Sequence, residues 1–242
     1  GEHDSGRGII IRDDGDILII GTGGYYNQAH RWRFSAIRIN TYGNEERRDD
    51  KDLPGSEFVH DILELPDNKI LIVGQDGADA GNFAVTRHNF DGTIDASFAT
   101  GGVLSIPVLN AADQAYRATL QPDGKILITG QAFNGSNWDL AIARISYDGV
   151  LDATFDGDGK LGIPDFNGTN DYGYAVLSMP DGKILIAGRS GNDIALTRLC
   201  GDSNQDAAAA NLAPVNSVPA EVQSTQVNTP IAFTDFRDNR IT

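Results

Sequence analysis

One cysteine, one methionine, two tryptophans and four histidines in 242 residues leave little to build common sites from. A lone Cys200 forms no internal disulfide, and burial at a strand end is its expected place. His3, His30, His60 and His88 have no metal-ligand spacing. There is no Walker loop, no G-x-S-x-G and no paired His/Cys set. No apolar run reaches 18 residues, so no membrane insertion by a helix is expected. No signal peptide is recognisable at Gly1, as expected of a chain cut from a longer precursor. Basic residues are also short: the formal net charge is −15, which argues against nucleic acid and anionic membranes as partners.

What is abundant is repetition. Asp123–Gly130 reads DGKILITG and Asp181–Gly188 reads DGKILIAG. Worn copies stand at Asp14–Gly21 (DGDILIIG) and Asp67–Gly74 (DNKILIVG). The starts are 53, 56 and 58 residues apart, the mark of stacked copies of one supersecondary unit. In each copy a short apolar run leads to turn residues, then to an apolar stretch too short for a helix. A loop and a third strand such as Asp193–Leu199 or Asp139–Ile145 follow. Lys160–Phe166 and Val103–Val108 read as fourth strands. Four short strands per copy, with no helical periodicity, predict an all-β, repeat-built β-propeller with four visible blade-like repeats. The repeats are divided at about 1–50, 51–103, 104–159 and 160–200. An acidic, Ala-rich linker over 201–212 and an extended tail over 213–242 follow.

One arginine recurs near the end of each third strand: Arg38, Arg87, Arg144 and Arg198. Alternation puts Arg144 on the face of Ile142 and Leu140, where a guanidinium needs a carboxylate. Asp95 and Asp152 follow Arg87 and Arg144 by eight residues, so Arg–Asp pairs pinning the turn to the strand are expected. Phe98 and Phe155 read as wedges between repeats.

These segments resemble the delta-60 repeat, a bacterial β-propeller-like repeat. Leu151–Phe155, Gly159, Tyr174-Ala175-Val176, Pro180–Gly188 and Asp193–Arg198 carry the resemblance, with Gln121–Gly130 in the third copy. It covers Asp4 to about Leu199 and is weakest in the first copy. It implies part of a large secreted or surface-attached bacterial protein and brings no catalytic residues. The tail, Asn211–Ala220 with Asn228–Phe233, is similar to the opening of bacterial cadherin-like or Ig-like modules of adhesins.

Asp202, Asn204 and Asp206 alternate as calcium ligands do. The loop lacks the sixth-position glycine and the distal glutamate, and a plain acidic linker competes with calcium there. Asp156–Gly159 reads as a turn. Binding is expected on the residues that do not repeat. Tyr25, Tyr26, Trp32, Phe133 and Trp138 cluster in loops with Asn and Gln, a composition suited to glycans; packing between blades is the competing use. After the fourth copy no outer strand follows directly, and Ile231–Phe236 is left to supply it in this chain or a neighbouring one, the latter building a filament. Several chains sharing a ring is a third arrangement.

The expected role is therefore a non-catalytic structural or adhesive module on a bacterial cell surface, a rigid scaffold or a ligand-binding head. Its partners would be neighbouring domains of its parent protein, glycans or further copies of itself. A self-assembling filament subunit is one alternative. A propeller enzyme acting on polysaccharide is the other, and it would need ionisable residues converging from positions that break the repeat.

Overall fold

The computed structural model describes residues 5–11, 15–24, 32–51, 58–76, 81–109, 111–163, 168–201 and 231–233. Sixteen strands run through them and no helix. The first sheet holds β1 (Ser5–Ile11), β2 (Ile17–Gly24), β3 (Trp32–Ile39) and β4 (Glu45–Lys51). The second holds β5 (Phe58–Glu64), β6 (Ile70–Gln75), β7 (Phe83–His88) and β8 (Val103–Ile106). The third holds β9 (Asp113–Leu120), β10 (Ile126–Phe133), β11 (Trp138–Ile145) and β12 (Lys160–Ile163). The fourth holds β13 (Asp171–Ser178), β14 (Ile184–Ser190), β15 (Asp193–Leu199) and β16 (Ile231–Phe233).

Strand order follows chain order in every sheet, and neighbours such as β1–β2, β6–β7, β10–β11 and β14–β15 pair antiparallel, as short turns require. β8 and β12 complete the second and third sheets, so those sheets end past residues 103 and 159, where the repeats were divided on sequence. The tail strand lies in its own chain, pairing Ile194 with Phe233 and Leu196 with Ile231.

The turn that opens the repeated phrase is built the same way each time. Asp67, Asp123 and Asp181 each accept a hydrogen bond at Oδ1 from the backbone N–H two residues on. The next residue has positive φ in all four copies: Gly15, Asn68, Gly124 and Gly182. Asn68 shows why asparagine replaces glycine there, since it tolerates that region best among the other residues.

The chain divides into two compact units, Gly1–Pro107 with Ala112–Ala118, and Val108–Ala111 with Thr119–Thr242. In the first, Ile10, Leu18 and Ile20 of sheet one meet Val59, Ile70 and Ile72 of sheet two, with Ile62 and Phe90 against them. In the second, Leu127, Leu140 and Ile142 of sheet three meet Val176, Ile184 and Ile186 of sheet four. Sheets one and two thus meet through apolar faces, and so do sheets three and four.

Candidate functional site

The glycine that closes the repeated phrase has a steric cause. Gly21, Gly74 and Gly188 lie opposite Gly6, Val59 and Gly173 on the first strand of their sheets. A Cβ at Gly21 would lie 2.0 Å from Ser5 O, at Gly74 1.7 Å from Phe58 O, and at Gly188 1.7 Å from Tyr172 O. Immediately beyond each of those pairs the register slips by one residue. The slip is a β-bulge, which leaves one residue unpaired and re-aims its side chain. The unpaired residues are Arg7, His60 and Tyr174. Tyr116 stands at the same place in the third copy.

A repeated device therefore presents three kinds of side chain over four repeats, and the following position varies in all four: Gly8, Asp61, Arg117 and Ala175. In the first unit these positions meet. The His60 ring stands edge-on to Tyr116, centroids 5.0 Å apart. Arg117 Nη1 donates to Asp61 Oδ1 at 2.7 Å, and the Ala118 N–H donates to Oδ2 at 3.0 Å. Asp61 is buried while Arg117 is half-exposed. Burial pushes the Asp61 carboxyl above its usual range, against the pull of those two donors. Burial, helped by Arg7, lowers His60 to about 4, so the ring is neutral at neutral pH. Arg117 thus pairs with a buried acid, beside a neutral imidazole that meets the Tyr116 ring and feels the charge of Arg7. In the second unit Tyr174 stacks on Tyr172, rings 5.8 Å apart and 9° from parallel, and Arg189 lies 5.9 Å over Tyr172.

The repeated charges have a different fate. Asp95 Oδ2 is 2.6 Å from both Arg87 Nε and Lys69 Nζ, and Asp95 Oδ1 accepts from the Ser97 hydroxyl. Asp152 Oδ2 is 2.7 Å from Arg144 Nε and 3.0 Å from Lys125 Nζ, and Oδ1 accepts from Thr154. Burial would raise both carboxyls, but the hydrogen bonds and nearby cations hold them well below the usual range. Arg87 and Arg144 lie 4.9 and 5.1 Å over the buried Phe98 and Phe155 rings. The lysine of the repeated phrase thus completes a Lys–Asp–Arg cluster.

In the first repeat the carboxylate has moved. Asp16 stands where the other copies have lysine, and it accepts from Arg38 Nε at 3.0 Å. In the fourth, Lys183 pairs with Asp181 of its own turn. Asp206, eight residues past Arg198, lies outside the described residues.

Among the other residues singled out on sequence, Phe133 and Trp138 are cross-strand partners at the end of the β10–β11 hairpin, rings 5.4 Å apart. Tyr25 and Tyr26 lie outside the described residues, as do Asp202, Asn204 and Asp206; Trp32 opens β3. Among the described residues no group of three or more His, Cys, Asp or Glu side chains is placed to hold a metal. Cys200 lies half-buried just past β15.

Residues 65–98, 121–155 and 180–208 match the model of a β-propeller domain of unknown function, DUF5122. The repeats are of the β-propeller kind. Each matched segment takes in a repeated phrase and the third strand that follows it. No curated protein matches the chain. Among solved structures, a hypothetical protein from Leishmania major is similar at TM-score 0.43 and 14% identity, over 81% of this chain and 66% of that one. A Bacteroides caccae protein of unknown function is similar at TM-score 0.36 and 10% identity, over 97% and 89%. A glucose dehydrogenase is similar at TM-score 0.45 and 9% identity, over 84% and 64%. The chain spans just under two thirds of the first and third of these proteins. Likenesses this distant assign no activity to the propeller repeats.

Proposed function

We propose that this chain is a non-catalytic propeller module, a rigid ligand-presenting head of a bacterial cell-surface protein. One observation carries the reading: the bulge position changes along the chain, from Arg7 to His60 to Tyr116 and Tyr174, while the repeated charges of Arg87–Asp95 and Arg144–Asp152 are spent on internal ion pairs. On the first strands of the first unit, Arg7, His60, Asp61 and Arg117 are ionisable residues that break the repeat. Two guanidiniums suit a carboxylate, and the Tyr116 ring suits the C–H face of a sugar. The ligand that fits is an acidic saccharide. The strongly acidic remainder of the chain makes this locally basic patch the more selective.

The test is a calorimetric titration with uronate-bearing and neutral oligosaccharides of equal length. The acidic series should bind, and Arg7→Ala or Tyr116→Ala should each weaken it roughly tenfold. Equal affinity for both series, or none for either, would sink the reading. An enzyme acting on polysaccharide is the second reading, favoured by the opposed shifts of Asp61 and His60. New reducing ends appearing during the same incubation would decide for it.

A further inference from the structure

The contact of sheet one with sheet two is built like that of sheet three with sheet four, and sheets one and four each carry a further apolar face that is exposed. The face that a sheet turns toward the sheet before it is known from sheets two and four. There Ile70 and Ile72, and Val176, Ile184 and Ile186, are buried. In sheet one the same positions are all isoleucine. Ile9 pairs with Ile19, Ile11 with Ile17, Ile17 with Ile39 and Ile19 with Ile37, so the six share one face. Ile9 is 65% exposed and Ile11 70%, and the other four are only half-buried. Ile9 stands where Ile62 packs on sheet one and Val176 packs on sheet three.

The opposite half is uncovered in sheet four. Leu177 stands where Ile10 is buried, and Ile194 where Leu140 is buried. Leu177 is 61% exposed and Ile194 50%, with Leu185 and Leu196 half-buried beside them. Register confirms the shared face: Leu177 pairs with Leu185, and Leu185 with Arg198.

A polar contact gives the match direction. Arg38 lies over Phe90, three residues beyond Arg87, the arginine of the next sheet. Arg144 Nη1 donates to Gly201 O, three residues beyond Arg198. The arginine of the earlier sheet thus reaches the turn after the third strand of the later one. Arg198 is the corresponding residue of sheet four. The matching turn of sheet one is Asn40–Gly43, where Tyr42 is 87% exposed.

We propose that a second copy of this chain occupies the isoleucine face of sheet one, docking its sheet-four face of Leu177, Leu185, Ile194 and Leu196. Arg198 of the docking copy reaches Thr41 and Tyr42. The contact is head-to-tail, repeating the internal packing of sheets one and two and of sheets three and four. Exposed apolar faces of this kind mark association surfaces, and a head-to-tail contact either closes a ring or continues as a chain. β16 pairs with Ile194 and Leu196 within its own sheet, so the docking needs no exchange of the tail strand and no saccharide bound at the bulges.

Light scattering on the full chain at about 0.15 M salt tests it, with the −15 charge partly screened. The wild type should exceed the 25.9 kDa monomer mass as concentration rises from ~1 μM to ~1 mM. Ile9→Asp and Leu177→Asp should each stay monomeric, because each loses one half of the contact. Mixed in equal amounts they should form a one-to-one dimer, because each keeps the half that the other lost. Arg198→Ala should weaken wild-type association roughly tenfold. If either aspartate variant shows an altered far-ultraviolet spectrum, Ile11→Asp and Ile194→Asp replace them. A wild type that stays monomeric throughout, variants that associate as it does, or a mixture that remains monomeric would overturn the proposal.

Discussion

His60 occupies the bulge of β5, and its lowered pKa has a consequence for stability. Its folded value, about 4, lies below the ordinary value of 6.5. The folded chain therefore prefers the neutral ring. That preference is fully present above pH 6.5 and is lost as pH falls toward 4. Part of the ring meets solvent, so the loss is discounted to roughly 2 kcal/mol. Urea titrations of wild type and His60→Gln at pH 7 and pH 4.5 should show the wild type losing more over that interval. Parallel losses would mean that the ring is not held neutral. Asp61 acts with the opposite sign, its raised pKa penalising the ionised folded form as pH rises, so the comparison between the two proteins is the informative one. The Lys–Asp–Arg cluster permits a graded prediction. Asp152→Ala strands the buried Arg144 and should cost about 3–5 kcal/mol. Lys125→Ala leaves the Arg144–Asp152 pair in place and should cost under about 1 kcal/mol. Equal losses in thermal denaturation would mean that the arginine does not depend on its carboxylate.

At the scale of the strand pair, two glycines of the repeated phrase are required for different reasons. Gly124 has φ +86 with open space round it, so alanine there should cost only the backbone strain, about 1–2 kcal/mol. Gly74 meets the carbonyl of Phe58, and alanine there must displace the bulge. That should cost on the order of 3 kcal/mol or more, with loss of the His60–Tyr116 contact, seen as altered ring resonances in NMR. If Gly74→Ala costs no more than Gly124→Ala, the bulge is not held by this contact. The same pair shows what the sequence makes legible. Turn glycines are readable because Asp-Gly between apolar runs has one local meaning. The four-strand repeat and the spacing of Arg87 with Asp95 and Arg144 with Asp152 were legible for the same reason, that local chemistry recurs. The bulge was not, because its cause is a backbone approach between strands. It left one trace, a glycine constant across copies while the residue after its cross-strand partner varies in a column reading Arg7, His60, Tyr116 and Tyr174. The exchange at Asp16 was equally hidden, since only the structure shows an aspartate at the lysine position taking over the arginine.

For the molecule as a whole, stability in a repeat protein is a sum over repeats and their contacts, so it follows which faces are covered. β6 is buried at every position, and β10 and β11 at all but one. β1 has one buried position and β13 three, because each belongs to a sheet with one uncovered face. Local opening should follow the same order. Amide hydrogen exchange should be slowest in β6, β10 and β11 and markedly faster in β1 and β13. The edge strand adds a second comparison. β16 pairs with Ile194, Ala195 and Leu196 and covers the outer edge of β15. Removing residues 202–242 should speed exchange in β15 by at least tenfold, as its edge loses these partners. β6 and β7, in the other compact unit, should keep their protection. Unchanged protection in β15 would mean that the short strand contributes little to its sheet. Protection lost evenly across all four sheets would mean that the chain opens as one cooperative block, and the repeat-by-repeat account of its stability would fall.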